Sequence, residues 1–227
     1  VHAETMCAAA SKGALESIQY LHSRGCAWGA DAASEAAGGG HLSCLKYLCE
    51  HGCIWGMDTV CAAAAGGHYS CLSYLMDKQG CVLDASVMIA ATAAATRGRY
   101  YANCVNYLRE HGGPWDASVC EAAAADGNLA SLRYLREQRC PWDATVCTAA
   151  AAGGHLRCLK YLHEEGCTWD ASACTEAASG GHLDCLQYLH EHGCPWDETV
   201  LEAAAQHDHC LDYLRRVADR MEQQHEA

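Results

Sequence analysis

A 27-residue period limits what this chain can fold into more than any other feature of its 227 residues. Trp28, Trp55, Trp115, Trp142, Trp169 and Trp196 set the frame. The step from Trp28 to Trp55 is 27 residues, as is each step from Trp115 onward; Leu83 takes the Trp place in the gap, and Val1 stands 27 residues before Trp28. A fixed period of this length is the mark of a repeat array. It predicts one repeat domain with units of approximately 1–25, 26–52, 53–80, 81–112, 113–139, 140–166, 167–193 and 194–218, and a tail of 219–227. Two successive units read CPWDATVCTAAAAGGHLRCLKYLHEEG and CTWDASACTEAASGGHLDCLQYLHEHG.

Each unit reads as two short antiparallel helices. Thr145 is the expected N-cap of the first, with Ser118, Ser172 and Thr199 in the same place. Ser118 with Glu121 and Thr199 with Glu202 fit the capping-box spacing. The Ala149–Ala152 block favours helix and lets neighbours approach closely. Gly153 and Gly154 end that helix. The second begins near His155 and turns Leu156, Cys158, Leu159 and Leu162 inward. Gly166 suits the left-handed C′ position. Each predicted helix has about 8 to 11 residues, fewer than the roughly 12–15 an isolated helix needs in water. Stability must therefore come from stacking on neighbours. The fold class is an all-α helical repeat solenoid of stacked helix–turn–helix units without β-hairpins.

Composition narrows the function. A formal net charge of −13 works against a nucleic-acid partner or an anionic membrane surface. The longest strongly apolar run, Val87 to Ala95, is too short to span a bilayer. No signal-peptide pattern opens the chain, and it begins without Met, as a fragment or processed form would. The 18 cysteines recur at repeat spacing. Equivalent cysteines in stacked helices lie roughly 10 Å apart, beyond the roughly 7 Å between Cα atoms that a disulfide tolerates. They read as mostly buried free thiols, in an intracellular reducing compartment, with the cytoplasm first and an organelle interior second.

The pattern T-x-C-x-A-A-x-x-G-H-L-x-C-L-x-Y-L-x-x-x-G resembles the ankyrin repeat over essentially the whole chain. Thr145, Ala150, Ala151, Gly154, His155, Leu156, Leu159, Leu162 and Gly166 carry the resemblance. It is most similar to short ankyrin-like arrays with a C-P-W-D loop. The unit has 27 residues against 33 in ankyrin, and Thr145-Val146-Cys147-Thr148 replaces the T-P-L-H motif. The missing length falls at the hairpin, where Cys140-Pro141-Trp142-Asp143 stands instead. The resemblance implies a non-catalytic protein–protein interaction scaffold, or an architectural subunit of a larger complex, that uses the groove lined by first helices.

No motif asks for a cofactor. His155 and Cys158 share a helix face, and the cysteines are numerous enough to raise an alternative, a thiol-rich metal-binding or redox-buffering protein. The fifth repeat argues for packing instead: Gly113, Asn128 and Ser131 fill the Cys and His places in an otherwise intact unit. Each Trp is expected to seal the link between units, with its indole N–H bonded. Partner contacts are expected in two regions. The fourth repeat carries five extra residues, placing Arg97, Arg99, Tyr100 and Tyr101 in a basic, aromatic insertion. Exposed first-helix positions, Ala144, Thr148 and Thr175 among them, line the groove. Charge is segregated too. Residues 97–160 hold eight basic and six acidic residues, Arg133 and Arg136 among the basic ones; residues 161–227 hold three and fourteen. The expected partner is a protein of unspecified identity.

Replacing Arg97, Arg99, Tyr100 and Tyr101 together should weaken partner capture while the circular-dichroism melt stays in place; unchanged capture removes the insertion as a contact.

Overall fold

The computed structural model describes the backbone of residues 2–29, 31–78, 83–95 and 99–225, and the side chains of 3–29, 31–78, 83–94 and 103–219. Arg97 lies outside the described residues, as do the side chains of Arg99, Tyr100 and Tyr101. Among the described residues every regular element is helical. The chain divides into two compact units, Val1–Pro114 and Trp115–Ala227.

The first unit holds four helix pairs: α1 (His2–Ser11) with α2 (Leu15–Ser23), α3 (Ala32–Gly38) with α4 (Leu42–Glu50), α5 (Met57–Ala65) with α6 (Tyr69–Lys78), and α7 (Ala85–Ala95) with α8 (Arg99–Glu110). The second holds α9 (Ala117–Ala125) with α10 (Leu129–Glu137), α11 (Ala144–Ala152) with α12 (Leu156–Glu164), α13 (Ala171–Ser179) with α14 (Leu183–Glu191), and α15 (Glu198–Ala203) with α16 (Asp208–His225). A 3-10 turn, Ala204–Gln206, extends α15. Within each unit the predicted solenoid order holds. Among the described helices α16, with 18 residues, is the longest.

The Ala blocks explain the packing. Ala150 and Ala151 of α11 and Ala177 and Ala178 of α13 are fully buried. Without bulky side chains, first helices pack on the first helices of neighbouring repeats far more closely than second helices pack on each other. Cys158, Leu159 and Leu162 fill the space between layers, while Leu156 is only half-buried.

One expectation fails. Thr145 does not cap α11. The cap is Asp143, whose carboxylate accepts from the Thr145 N–H at 3.0 Å and from the Thr145 hydroxyl. Asp116, Asp170 and Asp197 do the same for Ser118, Ser172 and Thr199. The helix therefore starts one residue before Thr145, at Ala144. A carboxylate there also suits the positive helix terminus. The Ser118–Glu121 and Thr199–Glu202 boxes are displaced, because Asp116 and Asp197 hold the cap position.

At the turn between helices, His155 N–H bonds to Ala150 O at 2.9 Å and Gly154 has φ of 68°. Cys167 N–H bonds to Leu162 O at 2.8 Å, with φ of 79° at Gly166. These are the glycine C′ geometries the sequence predicts. The turn also receives the next repeat. His182 Nε2 bonds to Ala152 O at 2.9 Å, and its ring lies where a Gly154 Cβ would come within 2.4 Å. His41 to Ser11 O, His155 to Ala125 O and His207 to Ser179 O repeat the contact at 3.0, 2.8 and 2.9 Å.

The second-helix face is joined by aromatic side chains. His22 bonds to the Tyr47 hydroxyl at 2.9 Å, His163 to Tyr188 at 2.9 Å and His190 to Tyr213 at 2.8 Å. Trp28 and Trp169 pack at a tilt against His22 and His163, 4.4 and 4.1 Å between centroids, and all six tryptophans are half-buried. The Trp28 indole N–H bonds to His51 O at 3.2 Å. At Tyr74 the His place is held by Cys49, and the Tyr74 hydroxyl has no hydrogen-bond partner among the described residues.

Two stability outcomes follow. Gly154→Ala should cost about 1–3 kcal/mol in urea unfolding, from the left-handed φ and the His182 ring. His182→Ala should cost about 1 kcal/mol. The double variant should lose less than the sum, because the clash disappears with the ring; strict additivity would show that the ring does not occupy that place. Cys49→His should give Tyr74 a partner and add about 0.5–1 kcal/mol, read as a higher Tm; an unchanged or lower Tm would show that no bond forms.

Candidate functional site

Within residues 115–227, a groove of about 300 Å³ runs across the exposed sides of the first helices. Glu121 of α9, Thr145, Thr148, Ala149 and Ala152 of α11, and Ser172 and Glu176 of α13 line it, with Asp170 at the α13 cap. Helical periodicity produces the surface. Val146, Cys147, Ala150 and Ala151 point inward and are buried, so Thr148, Ala149 and Ala152 are left on the other side. The small Ala149 and Ala152 keep the floor open.

The groove chemistry is carboxylate and hydroxyl. Glu121, Asp170 and Glu176 bring three carboxylates, and no Lys or Arg is among the lining residues described. The hydroxyls are already oriented. Thr148 Oγ1 donates to Ala144 O at 3.2 Å and lies 3.2 Å from Ser172 Oγ. Thr175 Oγ1 donates to Ala171 O at 3.1 Å. Asp170 accepts from the Ser172 backbone N–H at 3.0 Å, so Glu121 and Glu176 are the carboxylates without a capping role. Thr148 thus lies in the groove, and Ala144 supplies the carbonyl that holds it. Thr175 is half-buried on α13 beside Glu176. The sequence marked Glu121 only as a capping-box residue and did not mark Glu176, because the two occupy different places in the repeat; only their alignment across helices makes them one patch.

Arg133 and Arg136 belong to the second-helix side instead. The Arg133 guanidinium sits over the Tyr161 ring at 5.3 Å, and Arg136 over Trp142 at 4.4 Å. Arg136 also bonds to Glu165, Nε to Oε2 at 3.4 Å and Nη2 to O at 3.1 Å. Lys46 over Tyr74 and Lys160 over Tyr188, at 5.5 and 5.4 Å, occupy the Arg133 place in other repeats. These cations tie one repeat to the next. The signal was present in the sequence as a basic residue before Tyr47, Tyr134 and Tyr161, 28 residues from the ring it covers.

Among the described residues no group of three or more His, Cys, Asp or Glu side chains is placed to hold a metal ion. His155 is engaged with Ala125 O, and Cys158 is buried with its thiol pushed above the ordinary value by desolvation. No helix among the described residues is long and apolar enough to cross a membrane.

Comparison with known proteins agrees with this architecture. The family description "Ankyrin repeats (3 copies)" matches residues 5–87 and 146–224, and "Ankyrin repeats (many copies)" matches residues 120–163. Among curated proteins no sequence matches the chain. Among solved structures, the crystal structure of the human ASB11 ankyrin repeat domain aligns with 19% identity over 88% of this chain and 91% of that one, with a TM-score of 0.41. Ankyrin repeats in general mediate protein–protein interaction and are typically non-catalytic. With family matches spanning more than half of its residues, the chain belongs to the ankyrin repeat family.

Proposed function

We propose that the chain is a non-catalytic scaffold, or a subunit of a larger assembly, that receives a protein partner along the first-helix groove of residues 115–227. The observation that supports this reading is the groove lining: Glu121 and Glu176 flank a row of oriented hydroxyls over an Ala floor. Such a surface suits a partner segment that presents a Lys or Arg between small side chains. The ammonium or guanidinium would meet two carboxylates that have no cation beside them in the lining, and the hydroxyls would accept or donate to its backbone. Because the hydroxyls are already fixed, binding orders little on this side of the interface. The acidic balance of the whole chain adds steering toward a basic partner, sensitive to salt.

The test places a photo-crosslinking side chain at Thr148 of the intact chain, and a control at exposed Glu137 on α10. A partner should be captured at 148 and not at 137. Thr148→Arg combined with Thr175→Arg should weaken binding of that partner roughly tenfold or more, the size of a hot-spot loss. Glu121→Gln with Glu176→Gln should flatten its salt dependence. Binding that survives both pairs of substitutions, with the helical melt unchanged, would rule out the groove.

A further inference from the structure

The cysteines hold a pattern that comparison of equivalent positions hides. Non-equivalent cysteines meet across repeats. In residues 115–227 the cysteine of each first helix meets the cysteine that opens the next repeat: Cys120 with Cys140, Cys147 with Cys167 and Cys174 with Cys194; Cys120 Sγ lies 3.7 Å from Pro141 O, beside Cys140. The second thiol of each pair donates in turn to the carbonyl of a capping Asp. Cys140 Sγ is 3.5 Å from Asp116 O, Cys167 Sγ 3.2 Å from Asp143 O and Cys194 Sγ 3.2 Å from Asp170 O. All six cysteines are no more than 5% exposed, and every cysteine described is a free thiol.

Packing alone does not call for two thiols at this place. In residues 1–114 the same two positions hold Ala33 with Cys53, and Met88 with Gly113. A Cβ built on Gly113 would come 2.9 Å from Met88 Sδ, so these positions touch whatever fills them. Only residues 115–227 place a dithiol there, and they do so at three successive junctions.

We propose that these three pairs are oxidisable dithiols, which a low-molecular-weight disulfide such as oxidised glutathione converts into disulfides that fasten each repeat to the next. The Cys147 thiol, donating toward Cys167, holds Cys167 below the ordinary thiol value, and Cys174 does the same for Cys194. Cys167 and Cys194 are therefore the first nucleophiles. The Cys167 thiolate attacks one sulfur of oxidised glutathione and forms a mixed disulfide. One glutathione leaves with the proton that Cys167 lost. Cys147 then attacks Cys167 Sγ, and the second glutathione leaves with the Cys147 proton. Two protein thiols are oxidised and one glutathione disulfide is reduced to two thiols. The sulfurs, neighbours across the junction, close to about 2 Å. Because the pairs are buried, the oxidant enters when the link after Gly166 or Gly193 lifts, so mild urea below the unfolding transition should speed the reaction.

The test uses the whole chain with oxidised glutathione at pH 8, with and without such urea. Intact mass should fall by about 2 Da per disulfide, to a total of about 6 Da, and dithiothreitol should restore it. Digestion with trypsin and Asp-N under non-reducing conditions should recover peptides joining 120 to 140, 147 to 167 and 174 to 194. Tm should rise by about 5 °C or more, since each bond closes a loop of some twenty residues. Cys167→Ala should abolish only the 147–167 peptide. An unchanged mass with and without urea would overturn the proposal. So would glutathione adducts without internal bonds, or cross-links joining other cysteines.

Discussion

A nine-residue helix gains too few hydrogen bonds to offset the cost of starting it, and every first helix from α9 to α13 has nine residues. Such helices persist only because the next repeat completes them. The contact that does this most directly is the histidine at the inter-helix turn. His182 reaches back to Ala152, a carbonyl in the last turn of the preceding first helix, and lays its ring on Gly154. One side chain satisfies a carbonyl that the helix end exposes, and it does so at a residue that must be glycine twice over. Gly154 needs a positive φ to turn the chain and needs no Cβ so that the ring can sit there. The position belongs to one repeat and the constraint comes from the next, which makes stability a property of junctions.

That division explains how the two faces of each unit differ. Ala-rich first helices meet backbone to backbone and leave little room for side chains between them. The second helices stand further apart, and long or aromatic side chains span the gap: His163 to Tyr188, Arg133 over Tyr161, Lys160 over Tyr188. Cations and rings on that side are largely engaged in holding repeats together. The first-helix side keeps its hydroxyls and carboxylates outward because its stacking depends on Ala150, Ala151, Ala177 and Ala178.

Much of this was legible in the sequence. The 27-residue register, the Ala block and the buried Cys158, Leu159 and Leu162 all follow from periodicity. Gly154 and Gly166 follow from the conformations that helix ends require. The cap did not, because Asp143 and Thr145 are both good N-cap residues two positions apart. The choice goes to Asp143, whose one carboxylate oxygen takes both the Thr145 N–H and its hydroxyl. Arg139 shows the same limit at a helix C-terminus. It stands where other repeats have glycine and adopts φ of 58°, a conformation that costs a non-glycine residue about 1–2 kcal/mol. Partners that lie 20 to 30 residues apart, such as His182 with Ala152 or His163 with Tyr188, are set by the offset between stacked helices, which no single repeat encodes.

The cysteines illustrate the point best. Spacing between equivalent positions, roughly 10 Å, correctly separates Cys147 from Cys174. It says nothing of Cys147 and Cys167, which occupy different places in the repeat and are brought together by the turn of the intervening helix pair. Their contact arises at the same junction where Asp143 caps α11 and lends its carbonyl to Cys167. A helix cap, a thiol pair and the link to the next repeat thus share one residue. The cap and the link are required for any stack of short helices, while the thiols are not, as Met88 and Gly113 demonstrate. The thiol pair is therefore the part of that junction free to carry a chemical role without altering the fold.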